Sequence, residues 1–234
     1  KNRQPIIVLC GPGNNGGDGF VIAKYLKDDG YPIEVYVLRS IKNYRGDALI
    51  ALKEFGASPK KISLFKLKKN TLIVDAIFGT GLKKNIKGTL RKIFNLINKS
   101  NNLVVSVDIP SGVCSNTGKI LGSAVKADFT VTFHRKKIGH VFGLGKEFSG
   151  KIKVVDIGFV KKKMKTRCVE NSPKLWMKYF PWKKSTGHKY SRGRVVVYGG
   201  QKEFTGATIL SAQAALRTGT GSVKIICSKD TLQI

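Results

Sequence analysis

The chain has 234 residues, with 43 Lys and Arg against 14 Asp and Glu and a formal net charge of +29. At 41% hydrophobic and 24% charged residues it can bury a core, which excludes simple disorder or a basic tail. No apolar run of about 18 residues and no signal-peptide pattern is present, so a cytoplasmic protein is expected.

The length suits one large domain, or one domain with part of a second. Cys10, Cys114, Cys168 and Cys227 form no CxxC pair, which points to reduced thiols rather than a zinc ribbon or a disulfide framework. The chain opens on Lys1 and moves almost directly into an apolar run, and the expectation is that it has lost its natural beginning.

From Pro5 onward, short β-branched runs alternate with stretches whose apolar residues recur at helical spacing. Strands are expected at 6–10, 33–38, 71–75, 103–108, 129–133 and 153–157, with helices at 19–29, 45–55 and 87–98. Alternation of this kind specifies an α/β fold, a doubly wound, Rossmann-like parallel sheet spanning 1–160. A connector is expected at 161–190. It starts with a lysine-rich run and carries Trp176, Tyr179, Phe180 and Trp182, which are read as packing anchors. A strand at 194–198, a helix at 207–217 and a strand at 222–227 follow. One strand–helix–strand unit cannot cover both faces of a sheet, so 191–234 is expected to open a second α/β domain whose remainder lies outside the chain.

Three loops at strand ends carry candidate chemistry. The first, Gly-Pro-Gly-Asn-Asn-Gly-Gly-Asp-Gly at 11–19, has glycines for close backbone approach and helix-start amides suited to an anion. It lacks both the Rossmann G-x-G-x-x-G spacing and the P-loop lysine, and a plain structural turn is its alternative reading. The second and third place Asp75 and Asp108 at the carboxyl ends of buried strands, where open α/β sheets keep their ligand crevice. A cap or turn role is the alternative for either aspartate taken alone.

These residues closely resemble the NAD(P)H-hydrate (NAD(P)HX) epimerases. The likeness rests on the 11–19 loop, on Asp75 with Phe78-Gly-Thr-Gly-Leu82, on Val107-Asp-Ile-Pro-Ser-Gly112 and on Asn116-Thr-Gly118. It continues through Ala127-Asp128, Thr132-Phe133 and Asp156-Ile-Gly158. The later segment, with Ser191-Arg-Gly-Arg194, Val197-Tyr-Gly-Gly200 and Thr205-Gly-Ala207, is similar to the start of a ribokinase-like, ADP/ATP-dependent NAD(P)H-hydrate dehydratase.

The resemblance implies epimerisation of the R and S forms of NADHX or NADPHX at C6, a repair of damaged nicotinamide nucleotides. It implies that Asn14, Asn15, Gly16, Gly17 and Asp18 bind substrate together with Gly79, Thr80, Gly81, Leu82, Lys83, Lys84, Asn85 and Asp108. It also implies a potassium ion on Asn15, Asp75 and Ser111, an all-oxygen set without His or Cys; a caged hydrogen-bond network without metal is the alternative. Ala207 is implied as a nucleotide contact of the dehydratase part, the only part to use ADP or ATP. A homodimer is compatible with the family.

The hydrated ring is a hemiaminal, whose nitrogen can expel the C6 hydroxyl or the ring bond. Inversion then needs a side chain that takes and returns a proton, and Asp108 is the expected catalytic residue. Lys83-Lys84 replaces the Ser-Arg usual in the family, and Lys137 is followed by Ile138 in place of the usual proline. His134, His140 and His188 lack metal-ligand spacing and are read as surface or loop histidines.

Two other readings remain: an inactive remnant of the repair enzyme, and a basic RNA- or anion-binding protein. Against the last, residues 1–160 hold 27 basic and 11 acidic residues and residues 161–234 hold 16 and 3, so the charge is spread rather than gathered in a nucleic-acid module. Neither a nucleic-acid nor a membrane partner is expected.

Overall fold

The computed structural model describes residues 3–158, 168–180, 182, 186–201 and 204–231, and the chain divides into two compact units, Lys1–Lys162 and Lys163–Ile234. The lysine-rich run at 161–167, read from the sequence as the start of a connector, lies outside the described residues.

The first unit is built around β1 (Ile6–Cys10), whose five residues are all buried. It pairs in parallel with β2 (Ile33–Val37) on one side and β4 (Leu72–Ala76) on the other. With β3 (Lys60–Lys61), β5 (Val104–Val107), β6 (Phe129–Phe133) and β7 (Lys151–Val155), the described residues form a seven-stranded parallel sheet of order β3-β2-β1-β4-β5-β6-β7.

Alternation along β1 sorts the core into two layers. Ile6, Val8 and Cys10 join Phe20, Ala23, Tyr44, Ala48 and Phe55 from α1 (Asn14–Asp28), the following turn and α2 (Gly46–Phe55). Ile7 and Leu9 face Ile93, Phe94 and Ile97 of α3 (Gly88–Asn98) on the opposite side. Strands buried on both faces read as unbroken apolar runs, which is why the sheet was legible. Both sheet edges carry exposed lysines, Lys60 and Lys61 on β3 and Lys151 and Lys153 on β7, a charge placement that discourages edge-to-edge pairing.

Most boundaries fall within two residues of expectation, and the departures at α1 and β7 have a clear physical reason. α1 begins at Asn14 rather than residue 19, so the Asn-Asn-Gly-Gly-Asp segment is the helix's first turn. Glycine lowers helix propensity, but tertiary packing overrides it: a Cβ on Gly16 would lie 1.8 Å from the Gly11 carbonyl oxygen, so only glycine lets the helix start this close to the preceding turn. β7 begins two residues early, at Lys151, because its lysines face solvent at a sheet edge where apolar character is not required.

Short α4 (Ile138–Val141) and α5 (Leu144–Phe148) lie between β6 and β7. In the second unit, α6 (Pro173–Trp176) precedes a cluster in which the Phe180 ring lies 5.8 Å from Trp176 and 4.8 Å from Trp182. β8 (Arg194–Tyr198) and β9 (Ser222–Ile226) pair in parallel, joined through α7 (Thr205–Arg217).

Candidate functional site

Strand order reverses between β1 and β4, and the loops leaving their carboxyl ends open a crevice there, the usual ligand position in such sheets. A cavity of about 790 Å³ lies at this point. Of the residues expected to bind substrate, Asn14, Asn15, Asp18, Gly79, Thr80, Gly81, Leu82, Lys83, Lys84, Asn85 and Asp108 line it. Gly16 and Gly17 do not; they are buried in the first turn of α1, where Gly17 packs against Ala48. Ala207 is an exposed residue of α7 in the second unit.

Asp75 ties two of the loops together. It is fully buried. One carboxylate oxygen accepts from the Ser106 hydroxyl at 2.9 Å and the Ser111 amide at 2.8 Å, the other from the Ser111 hydroxyl at 2.6 Å and the Ile77 amide at 3.3 Å. Burial nevertheless pushes its carboxyl above the usual carboxylate range, only partly offset by these donors. Ser111 Oγ also accepts from the Phe78 amide at 2.9 Å. Asn15 reaches the same loop from α1: a Cβ added at Gly79 would lie 3.3 Å from Asn15 Oδ1, and the Asn15 Nδ2 is buried without a hydrogen-bond partner. The three sequence-distant loops therefore converge.

Asp108 is held differently. Its backbone is left-handed, φ +66°, unusual for a residue with a side chain. Its carboxylate accepts from the Thr132 hydroxyl at 3.0 Å and forms an ion pair with Lys137 Nζ, which also donates to Thr132 Oγ1 at 2.7 Å.

His140 anchors the main chain beneath. The expectation of a surface or loop histidine is wrong for this residue, which is fully buried. The Lys137 amide donates to its Nδ1 at 3.0 Å, so Nε2 carries the hydrogen and donates to the Asp108 carbonyl at 2.8 Å. Burial, the first cause, and nearby Lys137 and Lys136 lower its pKa, keeping the ring neutral.

Lys137, Thr132 and His140 are the site residues sequence reasoning left unassigned. The signal for Lys137 was its family-like position; nothing local in the sequence marks His140, because its partner is thirty-two residues away. Asp18 stands on the α1 side of the cavity, half-buried, and its carboxyl is pushed up to about 6, first by burial and then by the Asp108 charge. No cluster of three or more His, Cys, Asp or Glu suited to a metal occurs among the described residues.

Residues 1–139 match the family described as YjeF-related protein N-terminus. The chain is 37% identical over 95% of its length to the bifunctional NAD(P)H-hydrate repair enzyme Nnr of Moorella thermoacetica, covering 44% of that protein. To the enzyme of the same name from Escherichia coli it is 30% identical over 97% of its length, covering 45%. It thus spans about half the length of these bifunctional relatives. The NAD(P)H-hydrate epimerase of Oenococcus oeni is 38% identical across 67% of this chain and 76% of that protein. Among solved structures, yeast ynu0 (YNL200c) superposes with a TM-score of 0.52 at 25% identity, covering 66% of each chain. With the matched family spanning 1–139 and the Oenococcus epimerase covered over three quarters of its length, the chain belongs to the YjeF-related protein N-terminus family.

Proposed function

We propose that the first unit interconverts the R and S epimers of NAD(P)H hydrate at C6. The observation that carries this reading is the cavity at the strand-order reversal, lined by the Asn14–Asn15 turn, the 79–85 loop and one anchored carboxylate, Asp108. Its size falls in the range of small-molecule and cofactor sites. Asn14, Asn15, Asp18 and the 79–85 loop are the substrate-binding residues in this reading, with the backbone of Gly16 and Gly17 forming the tight helix start behind them. Exposed Arg39, Lys83, Lys84 and Lys87 at the cavity supply positive charge for the pyrophosphate of the substrate. Ala207 and the use of ADP or ATP go with the dehydratase-like reading of residues 191–234, not with the epimerisation proposed for the first unit.

The donor set also fits a potassium ion. Asp75 is a buried carboxylate with no cationic side chain bonded to it among the described residues, and Ser111 Oγ and the Phe78 carbonyl stand beside it. Asn15 Oδ1, which faces the Gly79 loop, offers a further oxygen ligand. Asn15, Asp75 and Ser111 would hold the ion. A bound monovalent cation supplies a fixed positive charge that offsets the buried carboxylate and orders the three loops, with oxygen ligands as a hard cation requires. A cytoplasmic location is consistent with such a substrate, and no helix among the described residues is long and apolar enough to cross a membrane.

The chemistry assigned to this chain is proton movement. Asp108, oriented by Lys137, Thr132 and His140, accepts or returns the proton that inversion of a hemiaminal requires. Replacement Asp108→Asn keeps the shape of the side chain and removes this capacity. The expected outcome is a fall of about 100-fold or more in the catalysed rate of epimer interconversion, followed by chromatographic separation of the two forms. An unchanged rate would contradict the assignment.

A further inference from the structure

Inversion at one carbon places bond breaking and bond making on opposite faces. A single carboxylate on one wall of the cavity reaches only one of them. The cavity has a second carboxyl. Asp18 comes from α1, which follows β1, while Asp108 directly follows β5, and β4 stands between these two strands in the sheet.

The two groups are set up differently. Asp108 is bound by Lys137 and Thr132 and so presents a fixed acceptor. Asp18 is half-buried, and its carboxyl has no hydrogen-bond or ion-pair partner among the described residues. A carboxyl left unpaired on a cavity wall can turn to meet a ligand, whereas one held by a lysine and a threonine presents its oxygens in one orientation.

Resting on the epimerase reading above, we propose that Asp18 is a second catalytic residue, a proton donor that works with Asp108 across the bound hemiaminal. Asp18 gives its proton to the C6 hydroxyl oxygen. The C6–O bond breaks, its electron pair leaves with water, and the ring-nitrogen lone pair closes a C6=N double bond. A water then adds to the opposite face of C6, returning the nitrogen its lone pair, and loses a proton to the Asp108 carboxylate. The centre is inverted and one proton has crossed from Asp18 to Asp108; the reverse epimerisation carries it back, and exchange with solvent resets the pair. Burial and the Asp108 charge holding the Asp18 carboxyl near 6 agree with a donor whose environment differs from that of its partner.

The test compares the wild-type chain with Asp18→Asn and Asp18→Glu in epimer interconversion, with kcat and KM determined separately and folding followed by thermal melting. The inference predicts that Asp18→Asn folds with an unchanged melting profile, loses about 100-fold or more in kcat and keeps its KM within about threefold, with part of the loss recovered in Asp18→Glu. A loss confined to KM would make Asp18 a binding residue only and overturn the proposal. So would an unchanged kcat. An Asp18→Asn chain that failed to fold would reveal a structural partner for the carboxyl and overturn it as well. A wild-type chain without activity would instead refute the epimerase reading itself, and this inference with it.

Discussion

Asp108 sits in a backbone conformation that costs a residue with a Cβ about 1–3 kcal/mol unless the surroundings impose it, and here His140 imposes it through the Asp108 carbonyl. The arrangement has a pH signature. His140 is buried and neutral, with its pKa lowered in the folded chain, so the unfolded chain binds the extra proton first as pH falls. Its contribution to stability is fully present above about pH 6.5 and is lost below it, at no more than about 1.4 kcal/mol per pH unit. Replacement His140→Ala leaves the Asp108 carbonyl and Lys137 amide without partners, and is expected to cost about 3 kcal/mol near pH 8. Because the variant no longer carries the titrating ring, its deficit should shrink between about pH 8 and pH 5 in chemical denaturation. A constant deficit would contradict the neutral, buried assignment.

At the scale of elements, the start of α1 decides the geometry of the site. Gly11 and Gly16 meet where a Cβ has no room, 1.8 Å from a carbonyl oxygen in each case, belonging to Ile77 for the first and Gly11 for the second. Gly16→Ala is therefore expected to lower stability by about 3 kcal/mol, the upper end for overpacking, as measured by denaturant unfolding. It should also displace the Asn14–Asn15 turn from the cavity; a loss within about 0.5 kcal/mol would mean that the turn is loose.

The same elements explain what was readable beforehand. Strands β1, β2, β4, β5 and β6 announce themselves as buried β-branched runs, and α3 by apolar residues on one face. The loops bearing Asn14, Gly79 and Asp108 were legible as candidates because each directly follows such a strand. β3, two exposed lysines, leaves no apolar signal, and the first turn of α1 is hidden by glycines that signal a loop unless their packing partners are known. Lys137 and His140 act on Asp108 across about thirty residues of sequence, a relation that only the fold creates.

For the whole molecule, the +29 charge divides into positions with separate physical roles. Some lysines guard the sheet edges, and Arg39, Lys83, Lys84 and Lys87 stand at the cavity. The charge therefore defines no partner by itself, while three convergent loops define a site. The second unit carries its own strand–helix–strand arrangement, and the chemistry proposed here rests on residues of the first. The central claim is best tested by mixing the purified chain with a single epimer of NADH hydrate and following both forms by chromatography, with potassium present and then replaced by lithium. The account predicts equilibration well above the spontaneous rate in potassium and a marked slowing in lithium, while interconversion no faster than in buffer alone under either condition would contradict it.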